Sequence, residues 1–153
     1  MPFKFRLEPL ITIRDNVLKE KQAELAKAYE ARRALEEKQA ELEQELAATV
    51  AAGRDTIHGG GAISVDYLLS LRRHEGYLMA QQEHIAKTIA AVDEEIERRR
   101  EAVMEAHREL KTVEKLKEKQ KEKYNAELAK KETVMMDEIA LTRKQGTGNR
   151  EQI

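Results

Sequence analysis

The 153-residue sequence contains no cysteine and no tryptophan, and aromatic residues make up only 4% of it. The absence of cysteine excludes disulfide bonds and thiolate metal sites, and it is compatible with a reducing compartment. No run of about 18 apolar residues occurs, the length that a membrane-spanning helix needs, and residues 1–14 lack the apolar centre of a signal peptide. We therefore expect a cytoplasmic protein with no direct membrane insertion.

The chain also has almost no net charge. Its 28 basic residues nearly cancel its 29 acidic residues, which leaves a formal charge of −1. No overall field therefore attracts nucleic acid or an anionic membrane. The basic run at 98–100 lies among glutamates, unlike the unbroken basic region that precedes a DNA-binding zipper. Nucleic acid is not an expected partner.

Charged residues are abundant instead, at 37% of the chain. Together with alanine, leucine and glutamine they are good helix formers, and this composition favours long exposed helices over a compact globular core. Apolar residues recur in alternating steps of three and four over residues 10–52, as in coiled-coil heptads. We assign this stretch to a first helix. Its apolar seam consists of Ile11, Leu18, Leu25, Ala28, Leu35, Leu42 and Leu46.

The heptad pattern stops at residues 53–63, a glycine-rich stretch that lowers helix propensity and permits a turn. Ser64 is placed to cap a second helix, over residues 64–143, by accepting a hydrogen bond from an amide of its first turn. The second seam runs from Leu68 to Val113. Because neither amphipathic helix is stable alone, we predict an all-α fold: a long antiparallel two-helix coiled-coil hairpin with unequal arms.

Folding at the glycines would place Ile11 near Ala106, so that the second helix extends beyond about residue 113 without a partner in the chain. We call this part the overhang. Residues 1–9 and 144–153 lack periodicity, and we predict a frayed N-terminus and a disordered tail. After a shift in register, the apolar stripe of the overhang consists of Tyr124, Leu128, Val134 or Met135, and Ile139.

The sequence contains no recognisable catalytic or metal-binding motif. Its four histidines form no pair at helical spacing and no HExxH motif, so no metal ligand set is indicated. The glycines at 59–61 are not followed by lysine and serine or threonine, so they do not form a phosphate-binding loop. Neighbouring glutamates such as Glu94 and Glu95 fit a solvated helix face. We expect no cofactor and no enzymatic activity.

Three surface patches remain as candidates for binding other proteins. A ridge of lysines on the overhang is either solvated or faces an acidic partner. Met135, Met136 and Ile139 either dock on a partner or pack against a second copy of the chain. The start of the second helix has more apolar residues than one seam needs. The ridge consists of Lys111, Lys115, Lys119 and Lys123, and the third patch includes Tyr67, Leu71 and Leu78.

Both ends of the sequence carry short motifs. Residues 3–10 read FKFRLEPL, and residues 132–140 read ETVMMDEIA. They resemble the F-x-F-x-L-x-x-L opening and the E-x-x-x-x-D-E-x-A ending of the FliJ family, a coiled-coil component of the bacterial flagellar type III export apparatus. The layout of a shorter first helix, a loop and a longer second helix is also similar to that family.

The resemblance implies a stalk-like adaptor that serves flagellum biogenesis, and hence motility and chemotaxis, and hydrolyses nothing itself. It implies three partners: the hexameric flagellar export ATPase, the cytosolic domain of the membrane export gate, and export chaperones. The protein would then be peripheral at the cytoplasmic face of the inner membrane. A generic coiled-coil scaffold and the related injectisome stalk protein remain alternatives. The implied ATPase contacts are Tyr124, Leu128, Met135, Met136, Asp137 and Glu138, and Tyr67, Leu71 and Leu78 would face the gate or chaperones.

Overall fold

The structure, a computed structural model, describes residues 2–148. It consists of two long helices, α1 at Glu8–His58 and α2 at Val65–Gly148. The described residues contain no strand. The two helices, of 51 and 84 residues, pack closely against each other. The predicted all-α helical hairpin with unequal arms is therefore confirmed.

Both helices are longer than the apolar periodicity indicated. Helix α1 continues to His58, into the predicted turn at 53–63, and α2 continues to Gly148, into the predicted disordered tail. The rest of that tail, residues 149–153, lies outside the described part of the chain. Periodicity marks only where a helix packs against another, whereas good helix formers allow a helix to run on into solvent.

The chain turns between the helices at residues 59–64. Gly60 has a φ of +67°, a left-handed conformation that glycine adopts without the steric cost that a Cβ imposes. A Cβ at Gly59 would lie 2.7 Å from the backbone oxygen of Asp55, so glycine is needed here too. The amide of Tyr67 donates a hydrogen bond of 3.3 Å to the Ser64 hydroxyl, which confirms the predicted cap.

Residues Lys19–Glu105 form one compact unit, which includes the turn. Leu42, Leu78 and Ile85 form its buried core cluster. Burying one leucine or isoleucine side chain contributes about 1.5–3 kcal/mol, so this apolar contact stabilises the hairpin. Polar contacts between the helices run in antiparallel order. They are Arg99 to the backbone oxygen of Glu24, Arg32 to Asp93, and His74 to Glu45.

Residues Met1–Leu18 and Ala106–Ile153 form the other compact unit. In its described part, Arg14 forms an ion pair with Glu109, and the carboxylate of Glu8 lies 2.8 Å from the ammonium of Lys117. The pairing is again antiparallel. The buried apolar side chains of this unit are Phe5, Leu18, Ala106, Leu110 and Val113.

The register of the hairpin differs from the prediction. Ile11 was predicted to lie near Ala106, but Arg14 already contacts Glu109, so the partner of residue 11 lies further along α2. The reason is the length of α1. Because this helix ends at His58 rather than near 52, the turn comes later, and the residues that face each other shift with it.

Candidate partner-binding surfaces

The segment that precedes α1 is packed, although a frayed N-terminus over residues 1–9 was predicted. We call residues 3–7 the N-terminal strap. Phe5 is only 8% exposed, like the seam residues of the helices. Its carbonyl accepts a hydrogen bond of 3.2 Å from the amide of Glu8, which ties the strap to the first turn of α1. Apolar burial therefore holds this segment in place without helical periodicity.

The strap continues the antiparallel pairing along α2. The ring of Phe3 lies 5.6 Å from the ring of Tyr124, at an interplanar angle of 46°, a tilted arrangement that is favourable for aromatic pairs. Tyr124 is half-buried as a result. Contacts between α2 and the rest of the chain thus reach Tyr124, and the predicted overhang beyond about residue 113 begins later than expected.

Every residue from 125 to 147 is exposed. We call this part of α2 the distal segment. Leu128, Met135 and Ile139 are 42%, 64% and 46% exposed, and their spacing of seven and four residues places them on one face of the helix. We call them the distal stripe. An exposed row of apolar side chains of this kind indicates a surface that contacts another molecule.

Other apolar side chains of the distal segment lie on different faces. Val134 and Leu141 are 57% and 62% exposed, and Met136 is 68% exposed. Because successive helix residues are rotated by about 100°, Val134 and Leu141 share a second face, and Met136 lies about 100° from Met135. Apolar side chains off the distal stripe are therefore at least as exposed as most of those on it.

Charged side chains flank the distal stripe. A shallow depression of about 420 Å³ is lined by Lys130, Lys131, Val134, Met135 and Glu138. Asp137 is exposed beside it. Five of the six predicted ATPase contacts thus lie exposed on the distal segment, namely Leu128, Met135, Met136, Asp137 and Glu138, while the sixth, Tyr124, is partly covered by Phe3.

The predicted basic ridge is exposed but mixed in charge. Its four lysines all face solvent. A shallow depression of about 440 Å³ on this surface has both basic and acidic walls. Lys117, next to the ridge, is engaged by Glu8 of the first helix. The lining residues are Lys111, Glu114, Lys115, Lys117, Glu118 and Lys121.

The three residues at the start of α2 that were predicted to face the gate or chaperones differ in their exposure to solvent. Tyr67 is 46% exposed and remains available to a partner. Leu71 is half-buried beside the turn. Leu78 is only 1% exposed, in the core cluster with Leu42 and Ile85. We therefore correct its assignment: Leu78 stabilises the hairpin and offers no surface to a partner.

Other exposed apolar side chains lie near the turn and in the first turns of α2. Leu69, Tyr77 and Met79 are 50%, 59% and 60% exposed on the same helix, and Ile63 and Val65 near the turn are 50% and 66% exposed. We call Tyr67 and these five residues the turn patch. Because these side chains are exposed in the hairpin, they are not used in the contact between α1 and α2.

Glu95 forms ion pairs with Arg98 and Arg99. The hydrogen bond that Arg99 donates holds the pKa of Glu95 below its ordinary value, and the charge of Arg98 acts in the same direction. A general acid at neutral pH needs the opposite shift. In residues 2–148, no group of three or more His, Asp or Glu side chains is placed to hold a metal ion, and neither helix has a stretch long and apolar enough to cross a membrane.

Two long packed helices with exposed apolar rows define a structural or adaptor protein that works through its surfaces. A family model described as "Flagellar FliJ protein" matches residues 3–148. The chain therefore belongs to the FliJ family, whose members are non-enzymatic components of the flagellar export apparatus. Neither the curated proteins nor the solved structures gave a significant match.

The packing of the N-terminal strap against α2 was not predicted from the sequence. A signal was present, because Phe3, Phe5 and Leu7 alternate with charged residues, as apolar side chains do in an extended segment that covers an apolar surface. Periodicity of the helical kind does not detect such a segment. Its position depends on the tertiary structure, because α2 extends past the start of α1 and offers the surface on which the strap packs.

Proposed function

We propose that this protein is a stalk-like adaptor that binds the hexameric flagellar export ATPase through the distal segment of α2. The observation that carries the proposal is the distal stripe: Leu128, Met135 and Ile139 lie in one exposed row. Membership of the export-apparatus family supports it. On a single amphipathic helix, such a row is suited to docking in an apolar groove or ring interior.

The chemistry of the stripe suits a partner against which it moves. Methionine side chains are flexible and polarizable, and they pack acceptably in more than one arrangement. Burying the three stripe residues on a partner would contribute about 1.5–3 kcal/mol each at most, and less here because each is already partly covered. Contacts of this strength permit binding that is specific but exchangeable.

The charged side chains of α2 also support docking of the distal segment inside the ring. The basic ridge is solvent-exposed, and an acidic ring interior would attract it before the distal stripe docks. Asp137 and Glu138, near the far end of the helix, would meet basic groups deeper in the ring. The glutamates next to the ridge limit this attraction, because an acidic surface repels them.

We further propose that the turn patch binds the cytosolic domain of the export gate or export chaperones, with Tyr67 as its central contact and Leu71 at its edge. Amphipathic aromatic residues such as Tyr67 and Tyr77 are enriched in protein interfaces. Held by these contacts, the protein would lie in the cytoplasm at the inner face of the membrane. It would then link ATP hydrolysis by its partner to delivery of export substrates.

The experiment is stimulation of the purified export ATPase by full-length protein. Leu128→Glu together with Met135→Glu should reduce stimulation and co-sedimentation by more than about tenfold, because two charges enter the apolar contact. The matched control is Val134→Glu with Leu141→Glu, which adds the same charges on another face. Circular dichroism checks that both variants remain helical.

Equal losses of ATPase stimulation in both double variants would show that added negative charge on any face of the distal segment prevents binding, and that the distal stripe has no special role. Unchanged stimulation in both would refute docking through the distal segment. In a pull-down from cell extracts, recovery of the tagged chain alone would favour a generic coiled-coil scaffold, provided that the chain also has no effect on the ATPase.

A further inference from the structure

We propose that the N-terminal strap covers the first residue of the surface that docks on the ATPase, and that docking displaces Phe3 from Tyr124. In the free chain the two rings are in contact. The distal stripe is then the exposed part of a longer docking surface that begins at Tyr124. This regulation rests on the proposed function, since it acts on the same surface.

Tyr124 lies on the same face of α2 as the distal stripe. Leu128 follows it by four residues, and Met135 and Ile139 follow at further steps of seven and four. At about 100° per residue, these four side chains fall within roughly 60° of one another around the helix. Contact with the strap therefore ends where the exposed part of one continuous apolar row begins.

The base of the strap is held more firmly than its tip, Phe3. Phe5 is only 8% exposed, and its carbonyl accepts a hydrogen bond from the amide of Glu8. Glu8 in turn lies 2.8 Å from Lys117 of α2. Phe3 is half-buried, and its phenyl ring forms no hydrogen bond, so packing on Tyr124 is what holds that ring. The tip can swing away from α2 while the base stays in place.

The ring contact is weak enough to be exchanged for a partner. An aromatic pair changes an equilibrium by about threefold to tenfold beyond the burial of its surface, so the open form is a minor but accessible state. A partner that needs the Tyr124 ring binds only the open form. Its apparent affinity is then reduced by the fraction of molecules in which the tip is open.

Displacement follows from the short distance between the covered residue and the first uncovered one. Leu128 lies one helical turn, about 6 Å, beyond Tyr124. A groove that encloses Leu128 therefore reaches the ring that Phe3 covers, and the partner competes with Phe3 for it. Tyrosine suits such a contact, because its ring is apolar and its hydroxyl finds a polar group.

The cover is tested first in the full chain without the ATPase. Tetranitromethane nitrates accessible tyrosines, and the absence of cysteine removes the competing reaction with thiols. Phe3→Ala should raise the nitration rate of Tyr124 by about threefold to tenfold, as measured by mass spectrometry of peptides. Tyr67, which is 46% exposed, is the internal reference and should keep its rate. An unchanged rate at Tyr124 would overturn the cover.

The matched control is Leu7→Ala. It also removes an apolar side chain from the strap, but Leu7 is 39% exposed and lies at the start of α1, away from Tyr124. This variant should leave the nitration rates and the ATPase affinity unchanged. A rise at Tyr124 equal to that of Phe3→Ala would show that general loosening, and not the ring of Phe3, controls access. Circular dichroism checks that each variant remains helical.

Affinity for the purified ATPase tests the regulatory role. Phe3→Ala should tighten binding by about threefold to tenfold, because the closed form is lost. In a chain that carries Tyr124→Ala, the same substitution should have no effect, because no ring remains to be uncovered. Weaker binding by Phe3→Ala would show that Phe3 is itself a partner contact, and this result would overturn displacement.

The two measurements separate the strap from the proposed function. If Phe3→Ala uncovers Tyr124 but no chain binds the ATPase, the proposed function fails, and the regulatory role fails with it. If the unaltered chain binds the ATPase and Phe3→Ala binds equally well, the proposed function stands and regulation by the strap is overturned.

Discussion

The ring of Phe3 lies against the ring of Tyr124, with 5.6 Å between their centroids. This contact joins the segment before the first helix to a point far along the second. It marks where the pairing within the chain ends, because every residue from 125 to 147 is exposed. The strap therefore sets the boundary between the self-paired part of α2 and the part proposed to bind other proteins.

The strap is expected to stabilise the fold. Phe5→Ala should lower the free energy of unfolding by about 2–4 kcal/mol, because a buried phenyl ring is replaced by a cavity. Leu7, which is 39% exposed, provides the control, and Leu7→Ala should cost less than about 1 kcal/mol. Urea denaturation followed by circular dichroism measures both. A similar, small loss in both variants would show that Phe5 is not held as described.

The turn is expected to be more sensitive to substitution at Gly59 than at Gly61. Gly59→Ala should destabilise the hairpin by about 1–3 kcal/mol, since the added Cβ would approach the Asp55 carbonyl and force the backbone to move. Gly61 has open space around it, so Gly61→Ala should change stability by less than about 1 kcal/mol. Thermal unfolding of the two variants distinguishes the positions, and equal losses would contradict the turn geometry.

Tyr67 and Leu78 were predicted together as partner contacts, and the structure now separates them. Tyr67→Ala should weaken binding to the gate domain or chaperones by more than about fivefold with little change in stability. Leu78→Ala should instead lower the free energy of unfolding by about 2–5 kcal/mol. Calorimetric binding and urea unfolding of both variants provide the comparison. Unchanged stability in Leu78→Ala would return this residue to the candidate surface.

Lowering the pH is expected to weaken the ion pairs that Glu95 forms with Arg98 and Arg99. Its pKa is lowered in the fold, chiefly by the hydrogen bond from Arg99, so the ionised carboxylate stabilises the folded state above the unfolded pKa. This contribution is lost as the pH falls through the folded pKa. Melting temperatures measured between about pH 5 and pH 3 should therefore fall less steeply for Glu95→Gln than for the unaltered chain. Glu101→Gln is the control, and an identical slope in all three would contradict the prediction.

The candidate surfaces were predictable to different degrees. The distal stripe followed from residue spacing, because Leu128, Met135 and Ile139 repeat at helical intervals whether or not anything packs on them. The assignment of Leu78 to a surface was wrong, because an apolar seam and an apolar patch have the same composition. Only packing, here against Leu42 and Ile85, decides which side chains become buried.

The sequence by itself determined that this chain forms two amphipathic helices joined at glycines, because helix propensity, heptad spacing and the Ser64 cap are local properties. It also determined the family, through motifs at both ends. The tertiary structure decided the register, the place of Phe5 and the limit of self-pairing at Tyr124. These depend on where α1 stops and on which apolar surfaces meet, and contacts between residues distant in sequence are not encoded in any local pattern.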